Sequence, residues 1–397
     1  MIILIVSSVF PPEPVVSAMM SYDIAMRLCA LGNKVVVVTP SPSRPLNYVF
    51  KEEKKVFPFE HIVLDSYTYP ESHIIGRTRE SISFGKAVAR FISEYPDSID
   101  CIYANTWPLF SQLAIARSAK KKAIPFYIHE QDVYPESYCF KIPGLLGRLL
   151  YKVLIPIDKY VQWHARGLIV ISPAMIDTLS QTRKVKKEKY TLVRNWQEDQ
   201  RFINAYRPVN DNDTGCHFMY LGSINPTANV TMIIEAFATI TTPKCKMSII
   251  GNGPEKSHCE EVAKVVGVDI SFGSVNPDLV AEKQRSADVL VLCLKKGVAK
   301  TATPSKLTAY MLTGRPIIAS VDFDSDCANI INEAKCGIVV EPDNVDALGD
   351  AMQTMANTSI EEKNIKGRKA FDYAVKHLSK EQNLKILANI LMNNGIG

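Results

Sequence analysis

The stretch Ile249-Ile-Gly-Asn-Gly-Pro-Glu255 is followed later in the chain by Thr303-Pro-Ser-Lys-Leu307 and Gly314-Arg-Pro-Ile-Ile318. Each piece reads as a turn at a buried strand. Glycine lets the backbone come close to a ligand, and the free peptide N–H groups at the start of a following helix can hold an anion. Three such loops in one half of the chain point to a bound phosphorylated molecule, with a nucleotide as the best fit. Asp322, Asp324 and Asp326 invite a second chemistry, because paired carboxylates can hold Mg²⁺. They follow a strand and precede a short helix, where exposed acids and a cap are the ordinary expectation, so the metal reading loses. The nine cysteines are scattered singly, without Cys-x-x-Cys. That disfavours a disulfide frame or a zinc site and suits a reducing cytosol.

The elements that must position these loops follow from the apolar pattern. Met1-Ile-Ile-Leu-Ile-Val6 opens the chain as a buried parallel strand, too short to span a bilayer. A Pro-rich loop, Phe10-Pro-Pro-Glu-Pro14, follows, then a helix with Met20, Ile24, Ala25 and Leu28 at helical spacing. Residues 35–39, 99–104, 124–130 and 167–172 repeat the strand pattern with helical segments between or after them. The pattern stops near Asn195-Trp196. It resumes with strands at 217–221, 246–250, 289–292, 316–319 and 337–340, and an amphipathic segment carrying Phe371, Val375, Leu378, Leu384 and Leu387 closes the chain. Alternating strands and helices give an α/β chain with two doubly wound sheets. The expected division is a first domain over 1–198, a polar linker over 199–215, a second domain over 216–375 and a C-terminal helix over 376–397 that packs back on the first domain.

A chain of 397 residues fits two such domains. The net charge of +5 is uneven: residues 1–200 hold 25 Lys and Arg against 19 Asp and Glu, and the remainder holds 21 against 22. The basic half suits an anionic membrane surface or a phosphorylated acceptor, with a solvated charge excess as the blander alternative. Residues 145–160 mix six Leu and Val positions with Arg148, Lys152 and Lys159, the composition of an interfacial helix. A helix packed on its own core has the same pattern.

Tyr220-Leu-Gly222, Gly251-x-Gly-Pro-Glu255, Phe272-x-Gly-x-Val275, Ala287-Asp288 and Pro304-Ser-Lys-Leu307 form an ordered set, and Phe10-Pro-Pro-Glu-Pro-Val-Val-Ser-Ala18 stands at the front. In these motifs the sequence resembles the family 4 retaining glycosyltransferases of the GT-B fold, over nearly its whole length. Gln131-Asp-Val-Tyr-Pro-Glu-Ser137 is similar to a segment of members that act on amino-sugars, including N-acetylfucosamine transferases of O-antigen assembly.

The resemblance implies two Rossmann-like domains facing a cleft and a reaction with no metal and no cofactor. A UDP-sugar, N-acetylated in the light of the amino-sugar motif, would donate, and a lipid-linked (undecaprenyl diphosphate) saccharide would accept. The enzyme would be cytoplasmic, peripheral on the inner face of the cell membrane, and would not bind nucleic acid. Lys306 would hold the leaving diphosphate, assisted by Pro304, Ser305 and the Leu307 amide, where preorganised donors help most. Gly251 and Gly253 would present backbone N–H groups to it, and Val275 would border the base. Members usually carry Arg and Lys where Ser223 and Ala228 stand, and a pair of glutamates where Thr301 and Ala309 stand. Ser223, Asn225 and Thr227 would then bind phosphate, with Lys295, Lys296, Lys300 and Arg315 as candidate replacement charges.

On the first domain His129 would touch the donor sugar, and Asp132 and Glu136 would orient or deprotonate the acceptor hydroxyl. A helix cap for Asp132 and a surface carboxylate for Glu136 are the structural alternatives. Glu13, Val16, Ser17 and Gln131 would shape the acceptor pocket. A sugar-nucleotide epimerase of the same fold, or a non-catalytic nucleotide-sugar-binding protein, stays open as an alternative.

Overall fold

The computed structural model describes residues 1–13, 16–44, 50, 56–71, 74–106, 109–139, 142, 144–196, 198–208, 215–300 and 305–393, with backbone alone at Val16, Ile74, Lys300 and Ser305. The chain forms two compact units. One comprises Met1–Asn195 together with the segment from Leu384 onward; the other is Trp196–Asn383.

The first unit holds seven parallel strands, β1 (Ile2–Ser7), β2 (Lys34–Thr39), β3 (Glu60–Val63), β4 (Cys101–Asn105), β5 (Phe126–Glu130), β6 (Gly167–Val170) and β7 (Tyr190–Leu192). Their order across the sheet is β3-β2-β1-β4-β5-β6-β7. The second unit holds six, β8 (His217–Leu221), β9 (Lys246–Ile250), β10 (Ile270–Gly273), β11 (Val289–Cys293), β12 (Ile317–Ser320) and β13 (Gly337–Val340), ordered β10-β9-β8-β11-β12-β13. Helices cover both faces, which is why the central strands are almost continuously apolar. Alternation still sorts the side chains: Val289, Val291 and Cys293 enter one core of the second unit, while Leu290 and Leu292 enter the other. In each sheet the strand order reverses once, between β1 and β4 and between β8 and β11. Such reversals open a crevice at the carboxyl ends of the strands, and those ends carry the loops of interest.

Three strands have no counterpart in the sequence reading: β3, β7 and β10. All lie at sheet edges and are short and half-exposed. An edge strand needs no apolar run, so its pattern is weak. The expected linker over 199–215 also needs correction. It begins with a helix, Gln200–Ala205, whose Phe202 is fully buried in the core of the second unit. The closing segment is two helices, Ile360–His377 and Lys380–Met392, and the division between units falls inside the last one. Asp199 caps the start of that last helix by accepting from the Lys380 amide at 2.6 Å.

Candidate active site

At the reversal point of the first sheet the carboxyl ends of β1, β4 and β5 border a cavity of about 530 Å³. Ser7 Oγ bonds Ser21 Oγ at 2.7 Å, and Asn105 Nδ2 donates to the same hydroxyl at 3.1 Å, so the two strand ends are tied to the first helix, Val16–Ala30. Ser17, His129, Gln131 and Asp132 all line this cavity, so four expected site residues are brought together.

His129 is the penultimate residue of β5, with its ring fully buried and its Nδ1 2.6 Å from the Tyr103 hydroxyl. Burial pushes the imidazole down to about 3 and pushes the Tyr103 phenol up. Both groups are therefore uncharged at neutral pH. A phenol that keeps its proton donates it to Nδ1, which places the imidazole proton on Nε2. That Nε2 is buried and has no hydrogen-bond partner among the described residues. Thr106 Oγ1, Glu130 Oε1 and Gln131 Nε2 are in the same condition, and all three residues line the same cavity. Buried polar groups are normally satisfied. Four orphans around one cavity mark a place built for a polar ligand. Asp132 is exposed at the rim and accepts from the Val133 amide at 2.9 Å.

Two carboxylates expected against an acceptor are instead committed to the protein. Glu136 is gripped by the Arg183 guanidinium through both oxygens, and Arg183 Nε also donates to Asp158 at 2.6 Å. A fully buried arginine requires that compensation. Glu13 accepts from the Phe10, Ser43 and Arg44 amides at 3.2, 2.9 and 3.0 Å and so staples two loops together. Val16 is described by its backbone alone.

In the second unit, Lys306 lies in the first turn of the helix Ser305–Leu312. Its Nζ donates to the Tyr220 hydroxyl at 2.6 Å and sits 4.7 Å from the centre of that ring. Tyr220 in turn donates to the Ser223 carbonyl at 2.6 Å. Burial pushes the lysine down to about 8. Gly222 makes room for it, since a Cβ there would lie 2.1 Å from Lys306 Cε. Leu307 buries its side chain completely, leaving only its amide for a ligand.

Gly251 has a different role from the one expected. The Gly251 N–H donates to the Gly273 carbonyl at 2.8 Å, so it is not free for phosphate. With φ at +154° and a hypothetical Cβ 1.9 Å from the Gly222 oxygen, Gly251 lets the loops after β8 and β9 touch. Gly253 does the same against the Ile224 oxygen at 2.0 Å. Asn225 Oδ1 is taken by the Thr227 amide, the Thr227 hydroxyl and the Ala228 amide. Ser223 and Thr227 are exposed, and Val275 is half-buried against the core. Arg315 is not a replacement charge: its guanidinium is buried and donates to the carbonyls of Arg207, Arg285, Ala287 and Gly314. Lys295 and Lys296 are exposed. Pro304, Thr301 and the side chains of Lys300 and Ser305 lie outside the described residues. Asp322 accepts from the Gly297 amide, which explains one acid of the Asp322–Asp326 cluster without a metal.

Residues 18–201 match the family described as Glycosyltransferase Family 4, and residues 215–358 match Glycosyl transferases group 1. The chain is a glycosyltransferase of the family 4 type. Its fold is GT-B, shared at low identity with several solved structures. Sucrose-phosphate synthase from Thermosynechococcus elongatus is 16% identical, with 98% of each chain covered and a TM-score of 0.67. The lipopolysaccharide outer core galactosyltransferase WaaB is 13% identical over 100% of each chain, with a TM-score of 0.69. Anabaena HepE in complex with UDP is 14% identical over 99% of this chain and 100% of its own, with a TM-score of 0.66. No curated protein sequence matches significantly.

The sequence reading of this glycosyltransferase missed Tyr103, Thr106, Glu130 and Tyr220 as site residues. The available signal was polar residues inside or just after apolar strands, since a buried tyrosine hydroxyl seeks a partner. The loop contact at Gly251 makes its own prediction. Gly251→Ala is expected to separate the β8 and β9 loops, weakening UDP binding and lowering the melting temperature together, whereas Gly267→Ala, with open space around its Cβ, strains only its own backbone. Differential scanning fluorimetry with and without UDP checks both.

Proposed function

We propose that this glycosyltransferase moves an N-acetylated sugar from a UDP-sugar to a lipid-linked saccharide, with retention of anomeric configuration, during surface polysaccharide assembly. The observation that carries this reading is the division of labour between its two sites. The second unit offers a half-buried cation, Lys306, beside closely packed loops, suited to a diphosphate. The first unit offers a cavity with unsatisfied polar atoms and no Lys or Arg among its described lining residues, suited to an uncharged sugar. HepE, a structural neighbour, has been solved with UDP and with UDP-glucose, and another neighbour, WaaG, is involved in lipopolysaccharide biosynthesis; both favour the reading.

In the proposed reaction the bond between the anomeric carbon and the diphosphate breaks as an acceptor hydroxyl attacks from the same face, and the hydroxyl's proton passes to the departing phosphate oxygen. Lys306 stabilises the charge that grows on the departing diphosphate. The His129 Nε2–H holds a sugar oxygen, and no protein nucleophile is required. Incubation with a panel of UDP-sugars tests this. Slow hydrolysis to UDP, or transfer to a supplied acceptor, is the expected result. Formation of an epimer would replace the transferase by an epimerase, and binding without turnover would make the chain a nucleotide-sugar-binding protein.

The acceptor's lipid calls for a membrane surface, and the helix Gly144–His164 has a face for one. Leu145, Leu149 and Val153, one turn apart, are 82%, 61% and 59% exposed, while Gly147, Leu154, Asp158 and Val161 face the interior. Arg148 and Lys152 flank that exposed row. Among the described residues no helix is long and apolar enough to cross a membrane. Placing Leu145 and Leu149 in the interface contributes about 1.5 kcal/mol or more each, so Leu145→Glu with Leu149→Glu is expected to weaken co-sedimentation with anionic vesicles at least tenfold. Equal sedimentation of variant and wild type would remove this helix from the account.

A further inference from the structure

The cavity of the first unit contains a carboxyl group that the proposed reaction does not use. Glu130 is the last residue of β5, is almost completely buried, lines the cavity and has no hydrogen-bond partner for Oε1 among the described residues. Four elements packed against it bring titratable or polar groups: Gln112 from the helix Phe110–Lys122, Asp158 from the helix Gly144–His164, Arg183 from the helix Pro173–Arg183 and Tyr190 from β7. Asp132, two residues on, adds another carboxylate. Gln112 hydrogen-bonds the carboxyl group. The nearby cation Arg183 is already held by Glu136 and Asp158.

We propose that Glu130 is a specificity-determining contact for an uncharged sugar ring held in this cavity, donating a hydrogen bond from Oε1 to a hydroxyl or acyl oxygen of that ring. This deepens the glycosyltransferase reading and rests on it. Burial, with Asp158 adding repulsion, pushes Glu130 up to about 8, so at neutral pH it is an acid with an O–H to give. The neighbouring His129 Nε2–H and Gln131 Nε2 are also donors without partners. A set of neutral donors with no cation among the described lining residues suits a ligand rich in neutral acceptor oxygens and offers a phosphate no counter-charge. A ligand lacking the matching oxygen would leave these groups buried and unpaired, which is how a polar site discriminates.

The test compares kcat/KM for UDP release, from whichever member of the UDP-sugar panel is turned over fastest, in the full-length wild type, Glu130→Gln and Glu130→Ala. The amide of Glu130→Gln still donates but does not ionise, and Lys306 is common to all three proteins. Glu130→Ala is expected to lose about tenfold at pH 7, the effect of one buried hydrogen bond left unmade. Glu130→Gln is expected to stay within about threefold of wild type at pH 7. Its ratio to wild type is then expected to rise about fivefold by pH 9, as the wild-type acid ionises and the amide does not. A flat ratio between pH 7 and pH 9, or wild-type kcat/KM in Glu130→Ala, overturns the assignment. The ratio decides alone if the alanine variant does not fold. A chain that binds UDP but turns over no donor also overturns it, because Glu130 then has no sugar to hold. A chain that binds no UDP instead sinks the glycosyltransferase reading on which the assignment rests.

Discussion

Lys306→Ala is expected to lower turnover of a UDP-sugar by at least about tenfold, and by as much as about a hundredfold, while the protein stays folded. The ammonium is held by the Tyr220 hydroxyl at 2.6 Å and the Ser223 carbonyl at 3.5 Å, and Tyr220 is itself fixed by the Ser223 carbonyl. That anchoring holds the ammonium in place before any ligand arrives, so little reorganisation is needed when the diphosphate departs. Burial has pushed Lys306 down to about 8, which gives the prediction a pH signature. Below pH 8 the free protein carries the charge; as pH rises through 8 the lysine loses its proton and the attraction for diphosphate fades. A bound diphosphate favours the charged form, so UDP binding near pH 8 to 9 should take up a proton. Calorimetry in buffers of different ionisation enthalpy should show that uptake in the wild type and not in Lys306→Ala. Near-normal turnover in the variant would transfer the role to Lys295 or Lys300, since Arg315 is spent on backbone carbonyls.

Arg183→Met is expected to destabilise the first unit by about 3 to 5 kcal/mol, because it strands Glu136 and Asp158 as buried acids without a counter-charge. For a unit of this size that corresponds to a melting temperature lower by roughly 10 °C. Neutralising both partners in the same protein, as Glu136→Gln and Asp158→Asn, should return much of the loss, and thermal denaturation followed by circular dichroism separates the two cases. Failure of the triple variant to recover would mean that the arginine acts mainly through packing. The cluster also matters for the cavity: by consuming Arg183 it leaves Glu130 without a cation.

The central strands were legible because parallel strands buried on both faces must be apolar throughout, as in Ile2–Ser7 and Val289–Cys293. The edges were not, because Glu60–Val63 and Ile270–Gly273 are half-exposed and carry no such run. His129, Gln131, Asp132 and Ser17 could be named from their place after a strand or in the first loop. Glu130 belongs to the polar cluster His129-Glu-Gln-Asp132 but was given no role of its own, since sequence does not say which way a strand-end side chain points. Glu136 looked like a site acid because its partner, Arg183, is distant in sequence and reaches it only through the fold. Gly251 was read as a phosphate donor for a related reason. The loop after β9 is glycine-rich, and only the structure shows that the neighbouring Gly273 carbonyl has already taken its N–H.

The most direct test is titration calorimetry of the purified chain with UDP, run in parallel on Lys306→Ala. The account predicts a saturable binding isotherm for the wild type at pH 7 and at least tenfold weaker binding for the variant. A wild-type protein that gives no heat with UDP, or with any other nucleoside diphosphate, would contradict it.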